Sequence, residues 1–149
     1  MATWSEFANA APEMAALGLK QFEKFHIAYL ATVRKDGSPR VHPVSPIFAG
    51  GRLFVATAPT SPKRLDQNRD GRYVIHALPG KEEEEFLIRG RARRVTDEAT
   101  RAAVTAAAGH TVRREDWIFE YEIETAATTY WENVGQPDTR PVRQRWSQQ

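Results

Sequence analysis

The residues with the clearest chemical potential lie in one short stretch, Thr57 to Arg64. It combines hydroxyl groups with two adjacent cations, Lys63 and Arg64, directly after a predicted strand. Ser61-Pro62 is typical of a helix start, where backbone N–H groups lack partners. Such a helix start beside two cations suits a phosphate. The sequence is also compatible with a solvated helix start that holds no ligand.

A second set of polar residues lies on the preceding predicted strand. Successive side chains of a strand point to opposite faces, so one face holds Arg40, His42 and Val44 and the other holds Val41 and Pro43. If Arg40 and His42 face the same side as Thr57, three polar groups meet at one anion. The alternative is an exposed strand with an incidental histidine.

Several chemistries are excluded by what the sequence lacks. With no cysteine, it cannot use thiol nucleophiles, iron–sulfur clusters or Cys-ligated zinc. Its four histidines are scattered, so we expect no metal site. The glycine-rich and serine motifs of Rossmann proteins, nucleotide triphosphatases and α/β-hydrolases are missing. Chemistry must come from polar side chains or from a cofactor.

The charge distribution favours a small anionic ligand over a nucleic acid. The net charge is only +2, but arginines cluster between Arg89 and Arg94 and again between Arg140 and Arg145. Because the acidic run Glu82 to Glu85 offsets part of this charge, we expect a local anion site, with nucleic-acid binding a weaker alternative. The arginine-rich end is expected to be a flexible tail or to cross to a partner.

Helices are predicted at three places. Thr3 and Glu6 have the spacing of a capping box, and Pro12 suits the first turn of a following helix. A short helix begins at Ser61-Pro62, and an alanine-rich helix spans about Asp97 to Ala108.

Alternating segments between these helices predict strands. They are His26–Val33, Arg40–Phe48, Arg52–Thr57, Arg72–Leu78, Glu85–Val95, Trp117–Glu124 and Ala127–Glu132. The first three should form a meander, with the second at a sheet edge because of its prolines. We therefore predict a single domain over residues 1–149 with a mainly β (α+β) fold. It would be a split β-barrel of about six to seven antiparallel strands with a few flanking helices. No stretch suggests a membrane span or a signal peptide, so a cytoplasmic location is expected.

The order of several motifs resembles one family, the pyridoxamine 5'-phosphate oxidase-like split-barrel flavoproteins. The matching pieces are Ala31-Thr32-Val33, Asp36-Gly37-Ser38-Pro39-Arg40, Val41-His42-Pro43-Val44, Leu53-Phe54-Val55-Ala56-Thr57, Ser61-Pro62-Lys63-Arg64-Leu65, Asp70-Gly71-Arg72-Tyr73 and Gly90-Arg91-Ala92. The arginine-rich end does not match the substrate-binding end of the vitamin-B6 oxidases, so the resemblance does not extend to activity on pyridoxamine phosphate.

This resemblance implies a homodimer with two cofactor sites at the subunit interface, each holding FMN or an 8-hydroxy-5-deazaflavin. The positions that match the family's phosphate-binding residues are Arg40, Thr57, Ser61, Lys63 and Arg64. The strand Val41-His42-Pro43-Val44 would border the ring, and Trp131 or Trp146 would stack on it or wall it. The alternative for Trp131 is an ordinary packing role in the core or at the dimer interface. The leading hypothesis is a flavin- or deazaflavin-dependent oxidoreductase that transfers hydride to or from a small molecule. The alternative is a non-catalytic module that binds or senses flavin or haem on the same barrel.

Overall fold

The computed structural model describes every residue from Met1 to Gln149, in four helices and eight strands. The helices are α1 (Trp4–Ala10), α2 (Pro12–Phe25), α3 (Lys63–Arg69) and α4 (Glu98–Ala107). The strands are β1 (Ala28–Val33), β2 (Pro39–Val44), β3 (Ile47–Ala49), β4 (Arg52–Thr57), β5 (Arg72–Ala77), β6 (Glu85–Val95), β7 (Trp117–Glu132) and β8 (Arg140–Ser147). None of the four helices has the length and apolar composition that a membrane-spanning helix requires.

All strands belong to one antiparallel sheet. The order is β2-β1-β5-β6-β7-β4-β3, and β8 pairs with β7 beside this path. The path runs from β2 to β3 without closing, as in a split barrel. The predicted mainly β fold with a few flanking helices is therefore confirmed.

The predicted meander of the first three strands is confirmed only in part. Strand β1 pairs with β2 and β3 pairs with β4, but the predicted second strand, Arg40–Phe48, is divided into β2 and β3, which lie at opposite ends of the sheet. Strand β4 also pairs with β7. Pro39 and Pro43 have no N–H to donate, which suits β2 to the edge of the sheet, as the sequence indicated. Pro46 then separates β2 from the short strand β3.

An eighth strand replaces the predicted flexible tail. Strand β4 pairs only with the first part of β7, Trp117 to Glu120, which leaves the later part of that edge unpaired. Strand β8 fills it by pairing with Thr125–Glu132. Its Trp146 lies 5.1 Å from Phe7, between ring centroids, so the strand also extends the core.

The core is formed by helices α1 and α2 against the inward face of the sheet. Phe7, Phe22 and Phe86 are buried there, and a Cβ at Gly18 would lie 2.5 Å from the Phe86 ring, so glycine permits the close approach of α2 to β6. The inward residues of β6 alternate with exposed arginines, as the sequence predicted. A smaller cluster lies under α4, around Val104.

Helix α3 links strands β1 and β2 to strand β7, and in doing so it positions the candidate site. Asp66 accepts hydrogen bonds from Thr32 of β1 and Arg40 of β2. The next residue, Gln67, accepts one from the buried hydroxyl of Tyr121 on β7. These contacts hold the first turn of α3, with Lys63 and Arg64, beside the end of β4.

Candidate functional site

Two polar atoms at this corner are buried without a hydrogen-bond partner. They are Oγ1 of Thr57 and Nδ1 of His42, and they are the only such side-chain atoms in the chain. Thr57 is 1% exposed. Because nearly all buried polar groups in folded proteins are paired, two orphans at one corner indicate a place where a bound group completes the hydrogen bonding.

Lys63 adds positive charge to the same corner. Its Nζ donates a hydrogen bond to Oγ of Ser61 over 3.0 Å, and it forms no ion pair with a carboxylate. Burial lowers the pKa of the ammonium group. We call the corner lined by His42, Thr57, Ser61 and Lys63 the α3 niche. A half-buried cation without a counter-ion suits an anionic ligand.

The role predicted for Ser61 as helix cap is wrong. Helix α3 begins at Lys63 with Pro62 at its N-cap position, and no side chain caps it. With seven residues, this helix is too short for its N-terminus to be an anion site by itself. The niche is therefore defined by its side chains. Ser61 orients Lys63 instead.

His42 lies on the inward face of β2 with Arg40 and Val44, as the strand alternation predicted. Burial lowers the pKa of its imidazole, and the positive charges of Lys63 and Arg40 lower it further. The carboxylate of Asp66 acts in the opposite direction. These surroundings therefore favour the neutral imidazole over the protonated one.

Arg40 is already engaged within the protein. Its Nε donates to Oδ2 of Asp66 over 2.6 Å, and Thr32 donates to the same oxygen over 3.0 Å. Burial raises the pKa of Asp66, but the hydrogen bonds from Arg40, Thr32 and Arg69 outweigh it, so the pKa is lower than usual. Arg40 thus anchors β2 to α3, and its direct contact with a phosphate stays a prediction.

Two residues beside the niche were not predicted from the sequence to belong to the site. Trp117 of β7 lies opposite Thr57 in the strand register. The guanidinium carbon of Arg94 lies 3.6 Å from the centroid of the Trp117 ring, and that of Arg64 lies 5.0 Å from it. Arg64 also donates to the carbonyl of Pro59. The pairings of β7 with β4 and with β6 bring Trp117 and Arg94 here, and no local motif indicates those pairings.

The predicted arginine cluster does not form one surface. Arg89, Arg91 and Arg93 alternate along the outer face of β6, and Arg93 donates to the buried carboxylate of Glu120. Arg94 follows on the other face, at Trp117. Only one member of the cluster therefore contributes positive charge near the α3 niche.

The residues predicted to border a ring do not lie together in the chain's fold. Val41 and Pro43 lie on the outer face of the sheet, away from the inward-pointing His42 and Val44. Trp131 is 36% exposed and lies near the opposite end of the 16-residue strand β7 from Trp117. A single chain therefore does not bring Trp131 to the niche.

A separate groove of about 460 Å³ opens on the outer face. Ala31, Val33, Pro39 and Val74 contribute to its wall. None of the predicted site residues lines it. The groove borders the exposed side of β1 and β5, next to Val41.

Comparison with known proteins identifies the family. A family model described as pyridoxamine 5'-phosphate oxidase matches residues 18–135. The chain belongs to the pyridoxamine 5'-phosphate oxidase family. The matched region contains the whole α3 niche, Trp117 and Trp131, and it ends before β8. No curated protein matches the chain in sequence.

Solved structures from this fold group are similar to the chain at low sequence identity. A heme binding protein from Mycobacterium smegmatis has 17% identity and a TM-score of 0.61, over 87% of this chain and 57% of that one. General Stress Protein 26 from Bacillus anthracis str. Sterne has 15% identity and a TM-score of 0.60, over 87% and 97%.

A third structure is PhzG from Burkholderia lata 383, solved in complex with tetrahydrophenazine-1-carboxylic acid. It has 13% identity and a TM-score of 0.59, over 95% of this chain and 92% of that one. At these identities the similarity establishes the fold shared with the pyridoxamine 5'-phosphate oxidase family. These three structures are of a heme binding protein, a general stress protein and a complex with tetrahydrophenazine-1-carboxylic acid, so they do not point to one shared ligand.

Proposed function

We propose that the chain is an oxidoreductase that depends on FMN or an 8-hydroxy-5-deazaflavin and uses the α3 niche to hold the cofactor's phosphate. The observation that carries this proposal is the pair of buried orphan atoms, Thr57 Oγ1 and His42 Nδ1, beside the half-buried Lys63. A phosphate offers several acceptor oxygens, which such donors would satisfy together.

The donor set fits a phosphomonoester. Thr57, Ser61 and Lys63 supply hydroxyl and ammonium donors, and Arg64 carries a guanidinium without a carboxylate partner nearby. A bound flavin or deazaflavin would supply the hydride chemistry, and no side chain is required as a nucleophile. The contribution of the chain is to hold the phosphate, to exclude water from the niche, and to fix β2 through the ion pair of Arg40 with Asp66.

The ring system of the bound flavin or deazaflavin would lie outside the niche, against β2. Arg40 and His42 point inward while Val41 and Pro43 point outward, so this strand connects the niche to the outer face of the sheet. That face is apolar and exposed at Tyr29 (48%), Val41 (59%) and Val74 (36%). Monomeric proteins seldom leave such neighbouring apolar side chains exposed together.

We propose that a second copy of the chain covers this face. In the strand register, Ala31 lies between Val41 and Val74, and Tyr29 lies opposite Pro43. These residues therefore form a continuous row across three strands. A homodimer formed there would shield the row and wall the ring, and the family resemblance implies that the partner subunit's Trp131 contributes to that wall.

The absorbance spectrum of the protein loaded with a cofactor tests this proposal. Purified protein is mixed with FMN or with the deazaflavin, freed of excess ligand, and scanned before and after reduction. We expect a retained flavin-type spectrum that a reductant bleaches and an electron acceptor restores. As the matched control, Thr57→Val should retain less cofactor while keeping its fold. Failure to retain either compound would overturn the assignment.

The second candidate is a non-catalytic module that binds flavin or haem. The structural similarity to a heme binding protein is what favours it. Repeating the experiment with haem as a third compound separates the two: a retained haem spectrum, or a bound flavin that no donor reduces in turnover, would support the binding module. The cytoplasmic location stays a prediction.

A further inference from the structure

The imidazole of His42 is unusual because one of its ring nitrogens is buried and has no partner. Nδ1 makes no hydrogen bond within the protein. The histidine lies on the inward face of β2, and the next inward residue toward the turn is Arg40. A buried ring nitrogen left unpaired costs free energy, which a ligand would recover by accepting or donating a hydrogen bond there.

The charged groups around His42 come from three elements. Lys63 and Asp66 are on α3, Arg40 is on β2, and Arg34 precedes the turn into β2. The carboxylate of Asp66 is already shared between Arg40 and Arg69. The remaining charge facing His42 is therefore positive, so these groups disfavour a proton on the ring.

An anion in the niche would reverse this balance. It would offset the charge of Lys63 and place acceptor oxygens beside Nδ1, and both effects favour the protonated imidazole. We infer that His42 takes up a proton when a phosphate group enters the α3 niche, so that ligand binding is coupled to protonation of this residue. This inference rests on the phosphate site of the proposed function.

The coupling has a definite sign. If the pKa of His42 is higher in the complex than in the free protein, affinity rises as the pH falls from the bound-state value toward the free-state value. Each unit of difference between the two pKa values corresponds to about a tenfold change in affinity. Phosphate esters lose their second proton near pH 6, so the effect of His42 is separable at about pH 7.5, where the ligand is already a dianion.

Histidine NMR tests the inference directly. Protein with ¹³C-labelled histidine is titrated from about pH 5 to about pH 9, alone and with saturating inorganic phosphate or FMN. The chain has four histidines, and the resonance of His42 is assigned by its absence in His42→Asn. We expect the pKa of His42 to rise by about one unit on binding. His26, His76 and His110 serve as internal controls.

Calorimetry provides the second measurement. FMN is titrated into the protein at about pH 7.5 in buffers with different heats of ionisation, none of them phosphate. Wild type should take up a fraction of a proton per FMN bound, and His42→Asn should take up less. If FMN binds while the pKa of His42 and the proton count stay unchanged, the inference is overturned and the cofactor assignment stands. If inorganic phosphate raises the pKa but FMN does not bind, the flavin assignment fails and the proton coupling stands.

Discussion

Nε of Arg40 donates a hydrogen bond to Oδ2 of Asp66 over 2.6 Å, joining the edge strand β2 to helix α3. Asp66 is 3% exposed, so its charge depends on this contact and on those from Thr32 and Arg69. The pair fixes β2 beside the α3 niche. Both the stability of the fold and the geometry of the site should therefore depend on it.

Asp66→Ala should lower the free energy of unfolding by about 3–5 kcal/mol, because it leaves the partly buried Arg40 without a partner. Urea unfolding followed by circular dichroism measures this loss. Asp70→Ala is the matched control, since its ion pair with Arg72 lies at the surface and should contribute less than about 1 kcal/mol. Equal losses in the two variants would contradict the anchoring role of Asp66.

The stability contributed by Asp66 should depend on pH. Its pKa in the folded protein is below the ordinary value, so the folded state favours the ionised form. This contribution is present at pH values above the ordinary pKa of aspartate, near 3.9, and is lost as the pH falls through the lower folded-state value. The free energies of unfolding of wild type and of Asp66→Asn should therefore become more alike as the pH is lowered below about 4. A constant difference across that range would contradict the prediction.

Thr57→Val should separate stability from ligand binding. The hydroxyl of Thr57 is buried and unpaired, so replacing it with a methyl group should leave stability unchanged or raise it by about 1 kcal/mol. FMN binding should weaken about 5- to 30-fold if the hydroxyl contacts the phosphate.

Thr32→Val is the control, because the Thr32 hydroxyl donates to Asp66 and its loss should destabilise the fold. Thermal unfolding and fluorescence titration with FMN measure the two properties for both variants. Unchanged FMN affinity in Thr57→Val would remove this residue from the site.

Lys63→Gln should weaken FMN binding by about 1–3 kcal/mol, since a half-buried charged contact is lost. Riboflavin, which lacks the phosphate, should bind equally to the variant and to wild type. Lys35→Gln, in the exposed turn before β2, is the matched control. A similar loss of affinity for riboflavin would show that Lys63 supports the ring and not the phosphate.

Val41→Glu should disrupt the proposed homodimer. Val41 is in the apolar row on the outer face. A carboxylate there would be desolvated without a partner if a second copy packed on it, which costs free energy. Light scattering after size-exclusion chromatography should show a shift from dimer toward monomer. The control is Val134→Glu, at the exposed loop between β7 and β8, which should leave the mass unchanged. A wild-type monomer at high concentration would contradict the dimer.

The sequence by itself determined the local elements and the family. Alternation along Glu85–Val95, the capping box of Thr3 with Glu6, and the turn at Gly37 all follow from interactions within a few residues, and the structure contains each of them. The order of motifs around Thr57 to Arg64 likewise indicated the family that the family model confirms. Short-range conformational preferences and the order of motifs can be predicted from the sequence alone.

Only the tertiary structure decided which strands pair and what surrounds each polar group. The pairing of β4 with β7 brings Trp117 opposite Thr57. Because β4 leaves the later part of β7 unpaired, the segment expected to be a tail pairs there as strand β8. Nothing near Arg40 in the sequence shows that its guanidinium forms an ion pair with Asp66. Such contacts join residues far apart in the chain. Their stability depends on burial and on the competition for hydrogen bonds, which exist only once the barrel has formed.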